Sequence, residues 1–451
     1  MATRRDFIRT ASLLCAGTAG AAAEARENDS RSITRRGEVS LRHECDVAVV
    51  GGGIAGVSAA MAAAESGVRV ILVEEYAVVG GNATMGGVNG FCGETAGQGE
   101  AFDAIVEALQ AFNAIAPYQP YPDADNRKFD HEILAVVLQE LLLRRKVKML
   151  LHSCFVDARA RHGRVGDIMV CGPSGPEIVR AKQYIDTTGE ALLVHHAGFD
   201  TVKGRPADGR QLPMSLMFYV REVAPEHAMP QVPEGWFETI RTGDELPMTS
   251  ISPAGPGRYS VKIKIPKFDA TDTESLTAAE IQARRRMMQV LDYYQRVERM
   301  PWVLDFCSPR IGIREGRRIV GEHVLTVDEL RAGQCFDDAI ARGVYYLDGH
   351  NPDDDKRTYI LPEEERKVPP YQIPFRSLVP KGAKNLLAAG RCLSADQLAL
   401  SSARVMTTCA MTGQAAGIAA ARCAARGCNL SDLVPAEITG IVRERGARLD
   451  L

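Results

Sequence analysis

Residues Cys45–Glu74, CDVAVVGGGIAGVSAAMAAAESGVRVILVE, leave this chain few folds to choose from, because they spell a strand, a glycine turn, a small-residue helix and a second strand in one run. Asp46–Val50 is an apolar, β-branched stretch of the kind that fills the interior of a parallel sheet. Gly51, Gly53 and Gly56 follow in GxGxxG spacing. The first allows a tight turn, the second lets backbone approach a pyrophosphate, and the third brings the helix close to the strand. A phosphate placed there meets unpaired N–H groups and the positive end of a helix dipole. Ala60 faces inward, Gly67 closes the helix, and Val68–Val73 forms the second strand, which ends at Glu74. A carboxylate at that point accepts both hydroxyls of an adenosine ribose and repels a 2′-phosphate. An isolated GxGxxG often marks an ordinary loop. Here the glycines, Ala60, Gly67 and Glu74 keep register through a whole βαβ unit, as a dinucleotide site requires.

Residues 1–25 carry a different message. Thr3-Arg4-Arg5-Asp6-Phe7-Ile8-Arg9 precedes a mildly apolar, alanine-rich run with small-residue cleavage sites near Ala23 and Ala25, the order of a twin-arginine export signal. Leu14 stands before Cys15 where a lipoprotein signal needs a small residue, so no lipid anchor is expected. Export in the folded state, to the periplasm, suits a domain that acquires a tightly held cofactor first.

A chain of 451 residues can build two or more lobes, and a net charge of -3 is too close to neutral for a nucleic-acid binder. No apolar run reaches the roughly twenty residues that span a bilayer. The cysteines beyond Cys15 show no CxxC, CxxCH or zinc-type spacing, so neither bound haem c nor a metal site is expected, and free, buried thiols are.

The chain divides into the signal at 1–25, a polar linker at 26–42, a first nucleotide-binding segment at 43–190, a second lobe at 191–370, a returning nucleotide-binding segment at 371–430, and a tail at 431–451. After Glu74 the glycine-dense run Val79–Gly87 suits backbone lying against a ligand. Asp130 is placed to cap a helix carrying Ile133, Val137, Leu138, Leu141 and Leu142. Three β segments follow, Met149–Ala158, Arg164–Cys171 and Glu177–Ile185, as a meander that leads to Asp186-Thr187-Thr188-Gly189-Glu190. In the second lobe Tyr259–Ile265 alternates strictly, and a helix is expected over Thr277–Met300 with Thr277 and Glu280 as a capping box. The strand-and-turn style returns at Asn385–Arg391, before a helix over Thr407–Arg426 whose Gly413 and Gly417 permit close packing.

The N-terminal unit, the meander, the TTGE turn and the C-terminal AAGRCLSADQLALSSARVMTTCAMTGQAAGIAAA together resemble the FAD-dependent oxidoreductase family with a glutathione-reductase-type FAD-binding domain. RIGIREGRRIVGE at Arg310–Glu322 and the stretch Tyr346–His350 resemble that family's inserted lobe. The resemblance implies an α/β fold, a Rossmann-like FAD-binding domain of parallel sheet plus β-meander, with an inserted α+β substrate lobe. It implies noncovalent FAD, with Gly51, Gly53 and Gly56 on the pyrophosphate, Glu74 on the ribose and Val156 near adenine. Gly81, Asn82, Thr84, Gly189, Gly390 and Asp396 would then lie along the flavin side. A helix beginning near Thr412, with Gln414 and Gly417, would point its N-terminus at the flavin edge that gains negative charge on reduction.

Two departures bear on the chemistry. Asp396-Gln397 replaces the family's common Asp-His pair, which removes a group that titrates near neutrality, and Glu190 stands where Asp is usual. A second GxGxxG for a nicotinamide cofactor is absent, and the loop after Glu74 holds Cys92 without the second cysteine that a disulfide reductase needs. Electrons therefore pass between a small organic substrate and oxygen, a quinone or a protein partner. His350, in a turn with Asp348, is either an exposed turn residue or a general base. Arg314, with Arg317 and Arg318, either binds a carboxylate or is neutralised by Glu315 and Glu322; Arg404 either touches substrate or sits in an ion pair. Cys392 reads as buried packing, and Tyr345 and Tyr346 as core. The expected function is an exported FAD-dependent oxidoreductase, dehydrogenase-like, removing hydride from a CH–OH or CH–CH centre. Flavin-dependent C=C reduction of a carboxylate substrate, and a non-catalytic flavin electron carrier, are the alternatives.

Overall fold

The computed structural model describes residues 39–227, 231–354 and 356–451; the expected export signal and most of the expected linker therefore lie outside the described residues. Its centre is a seven-stranded sheet. Leu41–Val50 pairs in parallel with Val70–Val73 on one side and Gly175–Asp186 on the other, and Lys148–Leu150 adds a further parallel strand beyond Val70–Val73. Gly175–Asp186 is long enough to serve two neighbours along its other edge. Its first half continues into the antiparallel meander of Arg164–Gly172 and Cys154–Arg161, while Tyr184–Asp186 pairs in parallel with Leu386–Ala388. The fold is thus α/β, a largely parallel sheet extended by a meander.

Register explains the site's position. Val50 lies opposite both Val73 and Asp186, and Asp186 lies opposite Ala388. Four strands consequently end level, and the residues that follow them, Gly51, Glu74, Thr187 and Ala389, meet at one carboxyl edge, where open α/β sheets bind their ligands.

Two helices cover the sheet in direct backbone contact, Ile54–Glu65 and Met406–Arg426. A Cβ at Gly413 or Gly417 would overlap the carbonyl oxygen of Ala55 or Ala59, so the glycines set the helix separation. The longer helix starts at Met406, well before Thr412, and ends at Gly427 with φ +66°. Asp130 caps its helix, His131–Arg144, by accepting from Glu132 and Ile133 N–H at 2.9 and 3.1 Å.

Several boundaries move. The opening strand begins at Leu41, inside the stretch assigned to the linker, because the extended Gly175–Asp186 strand pairs with it. The stretch expected as one strand over Met149–Ala158 is two, since His152 turns the chain at φ +53°. Residues Pro435–Glu444 of the expected tail form a helix, and Ile438, Val442, Ala447 and Leu449 enter the main core.

A four-stranded antiparallel sheet, Thr249–Gly255, Arg258–Ile265, Met214–Glu222 and Trp302–Cys307, carries a separate core drawn from Met214–Ile313. Leu216, Phe218, Val261 and Ile263 pack with Ala279, Ala283 and Val290 of the helix Thr273–Arg296. That helix starts four residues before Thr277: Asp272 accepts from Ser275 N–H at 2.8 Å, and the Thr277 hydroxyl bonds back to Thr273 C=O within the helix. The Thr277–Glu280 capping box is replaced by an aspartate cap. The sheet's other face presents Ser215, Met217 and Tyr219 opposite Lys264, Lys262 and Ser260. Residues Leu325–Val379, by contrast, contribute to the main core alongside the two glycine-bearing helices. Among the described residues no helix is long and apolar enough to cross a membrane.

Candidate active site

The cleft at the carboxyl edge of the main sheet has a volume of about 430 Å³. Gly51 turns with φ +102°, and a Cβ there would come within 2.5 Å of Thr187 C=O, so only glycine lets these two strand ends touch. Thr187 donates its hydroxyl to the carbonyls of Val50 and Gly51, at 2.9 and 2.7 Å. Gly53, in contrast, would point a Cβ into open space with no atom within 4 Å. Ile54–Glu65 begins right there, with no capping side chain and no acid in its first turn, so its free N–H groups face the cleft uncompensated. Gly56 meets Gly51 C=O so closely that a Cβ would overlap it.

Glu74 is buried and accepts from Gly52 N–H at 2.6 Å and Tyr76 N–H at 2.9 Å; burial raises its pKa, against those two bonds. Gly80 N–H donates to Gly52 C=O at 2.7 Å, which lays the second glycine run against the first. Gly81 and Asn82 line the cleft, and the Asn82 amide donates to Ile313 C=O at 3.0 Å, tying this run to the second lobe. Gly189 and Gly390 line it too, with φ +80° and +78°. Arg391 donates to both oxygens of Glu190, at 2.9 and 3.0 Å, while its buried Nη1 has no partner.

Other expected contacts take structural places. Thr84 turns its hydroxyl to Val79 C=O at 2.9 Å and lies off the cleft. Val156 is 38% exposed, and Ser153 and Phe155 line the wall at that point. Asp396 caps the helix Gln397–Ala403 through Ala399 N–H at 2.7 Å and also accepts from Val327 N–H. Gln414 accepts from Ala101 N–H at 2.8 Å, and Gly417 packs on Ala59. These three brace the cleft's elements from behind. The Thr412 hydroxyl accepts from Gly390 N–H at 3.1 Å, and Met406 and Cys409 are the parts of their helix that reach the cleft.

Beside Met406 the cleft wall is Arg404, and behind it the three catalytic candidates come together. Arg404 donates to the Asp348 carboxylate at 2.9 Å and to its backbone carbonyl at 3.1 Å. The other Asp348 oxygen lies 3.1 Å from His350 Nε2. A carboxylate can only accept, so Nε2 carries the proton and Nδ1 keeps its lone pair. His350 is 2% exposed and its Nδ1 has no partner. Burial, reinforced by the Arg314 guanidinium, pushes its pKa down to about 3. Burial would raise the Asp348 pKa, but His350, Arg404 and Arg314 outweigh it and hold the carboxyl well below its usual range. Arg314 donates to Pro213 C=O at 2.9 Å and the Ser215 hydroxyl at 2.7 Å. Burial, with Arg404 nearby, lowers its pKa to about 10.

The neighbours of Arg314 in sequence behave differently. Arg318 pairs with Glu315, and Gln397, in the position of the absent histidine, donates to Glu315 at 2.7 Å. That network is structural. Cys392 and Tyr345 are buried as expected, whereas Tyr346 is half-buried and Cys154, Cys171 and Cys335 are exposed rather than buried thiols; the described residues contain no His, Cys, Asp or Glu group that could hold a metal. The sequence offered no distance signal for Arg391, Asp348 or Lys262, although Asp348 stands two residues before His350.

A sequence model described as FAD dependent oxidoreductase matches residues 46–442. Digoxin reductase of Eggerthella lenta is 34% identical over 126 residues, covering 22% of this chain and 22% of that protein. Fumarate reductase (cytochrome) of Shewanella frigidimarina is 56% identical over 46 residues, 10% of this chain and 8% of that protein. The matches thus span less than a quarter of either relative's length. Among solved structures, a geranylgeranyl bacteriochlorophyll reductase-like protein from Thermoplasma acidophilum aligns with TM-score 0.49 and 13% identity, over 90% of this chain and 85% of that one.

Proposed function

The chain belongs to the FAD-dependent oxidoreductase family, and from that premise we propose that it removes hydride from a CH–OH or CH–CH centre of a small organic substrate, with His350 accepting the proton. The cofactor is FAD, which when bound supplies the two-electron chemistry. The chain's residues fit it: the backbone at Gly51–Gly53 and the uncapped helix start suit the pyrophosphate, Glu74 suits the ribose, and the unpartnered Arg391 Nη1 supplies a donor in the cleft wall.

The observation that carries the proposal is the His350 ring, buried, joined to Asp348 through Nε2, and left with an unpartnered Nδ1. Oxidation of an alcohol needs a group that takes the hydroxyl proton as hydride departs, and a neutral imidazole does that. The imidazolium so formed is stabilised by Asp348, which Arg404 and Arg314 keep ionised. Arg404, in both the cleft wall and the Asp348 contact, orients the pair.

A second reading, C=C reduction, is favoured by the names of the two relatives, a digoxin reductase and a fumarate reductase. In that direction the ring would have to give a proton. Burial and the Arg314 guanidinium keep the ring neutral, and its unpartnered Nδ1 is a lone pair rather than a donor, so the resting ring suits the accepting role of oxidation. Reoxidation by oxygen, a quinone or a protein partner, and export to the periplasm by the N-terminal arginine pair, complete the proposal.

The test is an anaerobic screen of sugars, hydroxy acids and steroids against purified holoenzyme, read at the flavin absorbance band. Bleaching by a reduced small molecule is the expected result. Bleaching by a reduced partner alone, reversed by an unsaturated substrate, would favour the reductase, and indifference to every small molecule would favour an electron carrier.

A further inference from the structure

We infer that the substrate carries a carboxylate and that Lys262 and Arg314 hold it. This rests on the reading above, in which His350 faces the substrate. Lys262 stands on the inner face of the second lobe's sheet, opposite Met217, and Ser215, which receives the Arg314 guanidinium, lies two residues from Met217 on the same face. Met217 in turn borders Gly87, next to the strand Gly90–Cys92, and that strand pairs with Asn126–Lys128. Lys262 and Arg314 thus come from separate segments to one place beside Asp348 and His350, and Lys128, from a third, adjoins Lys262.

The charges there do not balance. Arg404 and His350 already share Asp348. Among the described residues, Lys262, Lys128 and Arg314 have no carboxylate within 4 Å, and neither lysine ammonium makes a hydrogen bond, although Asp125 acts on Lys128 from farther off. Burial, then the Arg314 guanidinium, lowers the Lys262 pKa, and Lys128 adds to the effect. Lys264, two residues along the same face, shows the alternative: its ammonium is engaged by the carbonyls of Asp354 and Arg357. Lys262 has been given no such anchor.

Half-dehydrated cations near one another cost free energy unless an anion joins them. A substrate carboxylate supplies that anion, and Arg314 has guanidinium nitrogens to spare beyond the one bound to Pro213 and Ser215. A hydroxy acid or dicarboxylate so gripped would present its adjacent carbon to the side where His350 lies. The geometry therefore selects anionic substrates over neutral sugars and steroids.

The test uses holoenzyme at constant ionic strength, titrated with malonate and succinate and, as neutral counterparts, their dimethyl esters. The visible flavin spectrum and the melting temperature are read together. At least one dianion is expected to give a saturable change that its ester does not. Lys262→Met and Arg314→Met should each weaken that binding at least tenfold with FAD content unchanged, and Lys262→Arg should recover part of it. Equal responses to acids and esters, no response to either dianion, or wild-type binding by Lys262→Met would overturn the inference; Lys262→Met decides the matter if Arg314→Met fails to fold. The two proposals fail separately. Full turnover in His350→Asn with anion binding intact removes the histidine's role alone, whereas bleaching by a neutral alcohol without any anion response removes the carboxylate site alone.

Discussion

At the scale of single residues, two positions decide whether cofactor and chemistry are present. Gly53→Val should give protein that folds but purifies without flavin, since the added side chain would fill open cleft and meet no protein atom; the ratio of flavin to protein absorbance checks it. His350→Asn should slow anaerobic bleaching at least tenfold, on the order expected for a lost acid or base, and an unchanged rate would remove His350 from the mechanism. The buried ring also predicts a pH dependence. With a folded pKa of about 3, His350 stays neutral through pH 5 to 8, so its protonation should produce no loss of rate across that range. In the unfolded chain the same ring titrates near 6.5. Between those values the unfolded state takes up a proton that the folded state does not, so His350's contribution to stability is present above about pH 6.5 and declines as the pH falls toward 3. Thermal unfolding from pH 7 down to 4 should show this fall, and a weaker slope in His350→Asn.

At the scale of elements, the paired helices carry the cleft. Gly417→Val should destabilise the fold by about 1–3 kcal/mol or more, because a Cβ cannot coexist with Ala59 C=O without moving a helix; differential scanning calorimetry reads it. Asp130→Ala should cost about 1 kcal/mol through loss of two N-terminal hydrogen bonds. Elements were legible in the sequence where their causes are local. The βαβ unit at Cys45–Glu74 and the Asp130 cap both depend on residues within a few turns of one another. The start of Thr273–Arg296 was not, since Asp272 and Thr277 are both good caps and only the contacts of Asp269, Gln211 and Glu280 with the surrounding lobe favour the earlier one. Asp396, Gln414 and Gly417 look like cofactor contacts by motif, but their partners Val327, Ala101 and Ala59 are tens to hundreds of residues away.

At the scale of the molecule, the expectation of a folded, cofactor-loaded export cargo can be tested on the whole chain. Replacing Arg4 and Arg5 together by Lys should leave flavin-bearing protein in the cytoplasm, as cell fractionation would show; periplasmic recovery equal to wild type would refute the twin-arginine route. Sequence alone determined the parallel sheet edge and its dinucleotide cleft, because a strand, three spaced glycines, a helix and a carboxylate form one contiguous unit whose register leaves little freedom. It could not determine which side chains meet the substrate. Strict alternation in Arg258–Ile265 says that Lys262 faces away from Ile263, and only the docking of that sheet over the Gly87–Cys92 loop turns this face toward Asp348 and His350. The charged cluster exists because four segments, distant in the chain, pack around one partly dehydrated space, and charge, burial and pKa are properties of that space.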